Sequence, residues 1–133
     1  MVKRTEDSLQ NFNSLLAEKK DEPFKWGTWD CCIFAADCVL AMTGEDKLVD
    51  FRGAYDSKYT AAKALREIGS GTLDKTLSDH LGDTIASHRA WRGDLTIHKN
   101  NVGVCVGTHA FFVSEKGFMS IPMRDIEKVY PIR

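Results

Sequence analysis

The sequence lacks a charge imbalance: 18 Lys and Arg stand against 19 Asp and Glu, for a formal net charge of -1. Without a basic excess no overall field attracts nucleic acid or an anionic membrane surface, so partners have to be argued from local sites. Long hydrophobic runs are missing too. The N-terminal Met1-Val2-Lys3-Arg4-Thr5-Glu6-Asp7 is polar and leads into no apolar stretch of signal-peptide length, and nothing approaches membrane-spanning length. These absences predict a soluble chain made in the cytoplasm, with no membrane span and no nucleic-acid partner. Paired cysteine spacings are also absent. Cys31, Cys32 and Cys38 crowd one segment, Cys105 is distant, and no Cys-x-x-Cys occurs. Vicinal Cys31 and Cys32 are poorly placed to bridge each other, so free thiols and no metal or other cofactor are expected, a thiol-held metal being the lesser alternative. There is no internal repeat, low-complexity tract or linker, and 133 residues with 43% apolar content fit one domain over 1–133.

What is present divides into a helical half and a strand half. Leu9, Phe12, Leu15 and Leu16 share a face over Ser8–Lys19, which the polar run Lys19 to Pro23 closes. An aromatic loop, Phe24 to Thr28, leads into a second helix that starts at Cys31 and stops at Gly44. A third helix is expected from Tyr59 to Ile68, and Leu73, Leu77 and Leu81 mark a fourth ending at Gly82. Beyond Gly93 the apolar period changes to two. Leu95 to His98, Val102 to Val106, Ala110 to Val113, Phe118 to Ile121 and Lys128 to Ile132 are rich in β-branched and aromatic residues and predict an antiparallel meander of about five strands. Helices followed by a run of strands make an α+β fold.

The start of the second helix carries the chemistry. Asp30 is a good N-cap, and the unpaired N–H groups and partial positive charge of the first turn favour thiolate at Cys31, which is how a peptidase nucleophile is built. Against this, Cys31, Phe34, Ala35, Cys38, Val39 and Met42 repeat at the spacing of a buried helix face, on which Cys31 is an ordinary core residue.

Asp30-Cys31 opening an apolar helix, Arg92-Gly93-Asp94-Leu95 starting a strand, and Val102-Gly103-Val104-Cys105-Val106-Gly107 starting the next occur in an order that resembles the papain-like cysteine peptidases of the NlpC type. The likeness runs from about Trp26 to Val113 and is nearest to small phage-encoded members found among tail genes. There the helix reads much like Trp-x-x-Asp-Cys-x-x-Phe-x-Ala-Asp, a Phe-Arg-Gly-x-Tyr follows, and a Gly-Phe/Leu-x-x-Ile/Val-Pro strand ends the chain. Here these are Trp26/Asp30 to Asp37, Phe51 to Tyr55, and Gly117 to Pro122. The resemblance implies a papain-like fold, Cys31 as nucleophile, and a general base just before Val102. That position holds Asn101, which cannot take a proton from a thiol. The place of the family's third polar residue falls on Val113 or the Ser114-Glu115 turn.

His98 is the substitute base. If Lys99-Asn100 forms a two-residue turn, His98 and Asn101 face each other about 5 Å apart and Asn101 can orient the imidazole; a three-residue loop would put them on opposite faces. The otherwise expected place for His98 is a solvated strand end. His109, His80 and His88 have no motif support. Trp26, Trp29, Asp30, Cys32, Arg52 and Tyr55 are candidates for substrate binding: the tryptophans as groove walls, the Cys32 N–H beside that of Cys31 as an oxyanion donor, and the Arg52-Gly53-x-Tyr55 loop as a lining. Asp37 is expected to be exposed and Asp94 to pin a turn.

Two functions follow. One is a degenerate, structural or docking component of a phage tail tip, partnered by other tail-tip or hub proteins and located in the virion. The alternative is an active endopeptidase or amidase on peptidoglycan stem peptides, with Cys31 attacking the amide carbonyl.

Overall fold

The computed structural model describes residues 3–133. Four helices come first, α1 (Ser8–Lys19), α2 (Cys31–Thr43), α3 (Lys58–Glu67) and α4 (Leu73–Leu81). Five strands follow, β1 (Leu95–His98), β2 (Asn101–Cys105), β3 (His109–Ser114), β4 (Gly117–Pro122) and β5 (Lys128–Tyr130). The α+β order is as expected, with helix and strand ends within a residue or two. Three single-turn helices, Val49–Phe51, Ser87–Arg89 and Met123–Asp125, are additional. No helix among the described residues is long and apolar enough to cross a membrane.

α2 is the central element. Asp30, extended at φ -140°, accepts the Ile33 N–H at 2.9 Å, and Gly44 closes the other end in the left-handed region at φ +80°. Burial extends beyond the expected stripe: Cys32, Ile33 and Ala36 are buried as well as Phe34, Ala35, Cys38, Val39 and Met42. Such a helix needs partners on more than one side, and α2 packs on α1 and against β2 and β3. Asp37 departs from expectation. It is half-buried because Arg52 reaches its carboxylate at 2.7 Å.

The strands form one antiparallel sheet in the order β4-β3-β2-β1-β5. β1 to β4 are the expected meander, but β5 does not continue beside β4. It returns to the far edge and pairs with β1, Leu95 opposite Tyr130 and Thr96 opposite Val129. This satisfies the second edge of β1, while Pro122, which has no N–H, and the Met123–Asp125 turn end β4. Leu95, Ile97, Val102, Val104 and Tyr130 join the core beneath α2. The opposite face carries a smaller cluster of Ala110, Phe112, Ile126 and Val129. Gly103 makes that packing possible, since a Cβ there would lie 2.5 Å from the Phe111 carbonyl oxygen and 2.7 Å from the Phe112 ring.

Asp94 is fully buried and pins its turn by accepting the Trp91 N–H at 2.8 Å. It also accepts the Ile132 N–H at 2.9 Å and pairs with Arg4 at 3.0 Å and Arg133 at 2.9 Å. One carboxylate thereby fastens both ends of the described chain to the start of β1.

Candidate functional site

The loop before α2 is shaped by Gly27 and Asp30. Gly27 sits at φ +81°, donates its N–H to Asp30 Oδ2 at 2.8 Å, and accepts from the Gly53 N–H at 3.1 Å. A Cβ at Gly27 would lie 2.0 Å from the Tyr55 carbonyl oxygen, so only glycine allows the two loops to meet. Asp30, 1% exposed, spends its carboxylate on this loop and on the helix cap.

Cys31 is left half-buried in the first turn, facing β2. Burial pushes its thiol up from the ordinary 9.0 to about 11, and the Asp30 charge adds to the rise. The N–H groups of Val102, Cys32 and Cys31 oppose it without winning. Of the two readings of Cys31, thiolate at a helix terminus and residue of a buried face, the second describes its surroundings, because desolvation exceeds the helix-terminus effect. Cys32 is buried beside the Tyr55 hydroxyl, and burial raises both groups strongly.

Cys31 opens on two adjoining hollows. One, of about 300 Å³, is bordered by Phe24, Trp26, His98, Asn101, Phe112 and Met119, with Val113, Ser114 and Glu115 also in its wall. The other, of about 510 Å³, lies towards α3 between Phe51, Tyr55, Leu65 and Leu73, with Lys58 and Lys99 at its edge. Trp26, Asp30, Cys31, Lys58 and Asn101 border both.

The two-residue turn forms as expected. Lys99 and Asn100 take φ +47° and +64°, and His98 pairs directly with Asn101. The orienting contacts are different from those expected. His98 Nδ1 lies 3.2 Å from the Asp125 carbonyl oxygen and 4.0 Å from a Glu127 carboxylate oxygen. A carbonyl only accepts, so the neutral form of the ring carries its proton on Nδ1 and its lone pair on Nε2. Asn101 donates its amide to the Lys99 carbonyl at 3.2 Å instead of holding His98. Among the described residues no side-chain hydrogen bond joins Cys31 to His98 or Asn101. Ser114 in the third position donates its hydroxyl to Gly117 at 2.8 Å.

Trp29 is a core residue, 3% exposed and edge-on to Phe34 at 5.5 Å, and it borders neither hollow. Arg52 borders neither hollow; it bridges Asp37 and Asp46, each at 2.7 Å. Tyr55 does line the larger hollow. His80, His88 and His109 are exposed and away from both. Phe24, Lys58, Met119, Asp125 and Glu127 were not legible as site residues, because each arrives through tertiary folding with no local motif. Among the described residues no three His, Cys, Asp or Glu side chains converge as a metal site.

No curated protein and no solved structure matches the chain. A family model described as a domain of unknown function, DUF6950, matches residues 3–132. The chain, matched over nearly its whole length, therefore belongs to the DUF6950 family.

Proposed function

We propose that the chain is a papain-like docking component of a phage tail tip, in which a peptidase-type cleft binds without cleaving. Its partners are other tail-tip or hub proteins, and it travels from the host cytoplasm into the virion. The tail setting rests on the resemblance of the Trp26–Asp37, Phe51–Tyr55 and Gly117–Pro122 segments to phage tail-encoded NlpC-type proteins. The observation that carries the non-catalytic reading is the state of Cys31. Its thiol is raised to about 11 and among the described residues meets no base in hydrogen-bond reach, so at neutral pH it is a neutral thiol at the waist of a cleft.

The test is residue-resolved alkylation of the four cysteines across neutral to alkaline pH, with Cys31→Ala as control. Cys31 should react in the folded protein more slowly than in the denatured chain, without a titration below the ordinary thiol value of 9.0. Fast alkylation that titrates near neutrality would sink the reading and support the second one, an endopeptidase or amidase on peptidoglycan stem peptides. One observation favours that alternative: His98 shares the cleft with Cys31 and presents a free Nε2, held from behind at Nδ1 by Asp125. In that case His98→Ala abolishes the titration.

A further inference from the structure

The hollow of about 510 Å³ beside α3 has an apolar floor and a cationic edge. Phe51, Tyr55, Leu65 and Leu73 give it the surface to hold an apolar side chain, while Lys58 and Lys99 are exposed on the rim. Among the described residues neither lysine takes part in an ion pair, and the one carboxylate in this wall, Asp30, is buried and spent on the Gly27 and Ile33 N–H groups. The other acidic side chain nearby, Glu115, lines the smaller hollow, which Lys58 also borders, but does not pair with that lysine. Lys99 is held on the rim at a backbone cost. It occupies φ +47° in a turn whose geometry favours Asn or Gly, and a lysine there is uncommon. The two hollows share Trp26, Asp30, Cys31, Lys58 and Asn101 at their border, so they adjoin at Cys31.

From this combination we propose that the larger hollow receives an acidic segment of a partner protein, an apolar side chain seated between α3 and the β1–β2 turn and a neighbouring carboxylate on Lys58 and Lys99. The proposal rests on the docking reading and supplies the chemistry of the docked segment. Charge complementarity selects the ligand, since a basic segment would meet two lysines that among the described residues form no ion pair, the nearest carboxylate at the turn, Glu127, being engaged by the Lys99 backbone N–H at 2.6 Å.

The probes are short fluorescent peptides of identical apolar sequence, one carrying Asp and Glu and the other Lys at the polar positions, followed by anisotropy at low and high salt. The acidic peptide should bind at least about tenfold more tightly at low salt. Lys99→Gly should remove much of that preference while the melting temperature holds or rises, because glycine relaxes the turn. Lys58→Glu should act likewise without unfolding α3, since an acid in the first turn complements the helix. Ala62→Trp, at an exposed position of α3 on the hollow, should block both peptides. Equal affinity for the two peptides, absence of binding, or binding indifferent to the lysine variants overturns the proposal. Mass spectrometry of the recovered acidic peptide separates this from the parent reading: a bound but cleaved peptide defeats non-catalytic docking and leaves the ligand class standing.

Discussion

Asp30 couples the shape of the site to its reactivity. Its two carboxylate oxygens hold the Gly27 N–H and cap α2, while its charge contributes to keeping the Cys31 proton in place. Asp30→Asn retains one acceptor and loses the charge, so two effects of opposite consequence should separate. Stability in urea should fall by about 1–2 kcal/mol through the weakened cap and loop. The alkylation profile of Cys31 should move to lower pH, because the neighbouring negative charge that disfavours thiolate is gone. An unchanged profile would leave burial as the sole cause of the raised thiol. The N-cap was legible from Asp30 and the apolar run after it, and the spacing of Cys31 with Phe34 and Cys38 offered a buried place for it; which of the two effects wins was not legible, since it depends on β2 lying against the first turn of α2.

At the scale of elements, the β1–β2 turn decides which residues stand together. Both of its residues are left-handed, and the sequence supplies Asn only at the second place and Lys at the first. Replacing the pair with the preferred residues, Lys99→Asn with Asn100→Gly, should raise stability by about 1 kcal/mol in chemical denaturation without moving the His98–Asn101 register. The helices and the first four strands were readable because each carries its own period: Leu9, Phe12, Leu15 and Leu16 for α1, and alternation such as Leu95, Ile97 for β1. The place of β5 was not readable. Its alternation fixes which residues face the core but not which strand they pair with, and only the open edge of β1 settles that. The same limit applies to the site. The order of Asp30-Cys31, Gly93-Asp94 and Val102-Gly103 located Cys31 beside β2, whereas Asp125 and Glu127 reach His98 only because β5 crosses to β1. Trp29 and Arg52 sit in the right segments, but their side chains turn to Phe34 and to Asp37 and Asp46.

Across the whole molecule, buried thiols make stability depend on alkaline pH. Cys31, Cys32 and Cys38 are all raised above the ordinary value of 9.0, each chiefly by burial. Below that value both folded and unfolded chains keep these protons, and the contribution is fully present. Above it the unfolded chain loses protons first, so stability falls with rising pH, for Cys31 until its folded value of about 11. The loss should approach about 1.4 kcal/mol per pH unit for each thiol, read as a falling urea midpoint between neutral and alkaline buffers. A flat midpoint would mean the thiols ionise equally in both states. The clamp at Asp94 has a topological consequence. Arg4 and Ile132–Arg133 meet on one carboxylate, so the two ends of the described chain lie side by side. A circular permutant that joins them through a short flexible link and opens the chain in the exposed segment 82–84 should fold with the same sheet order, checked by circular dichroism and amide exchange.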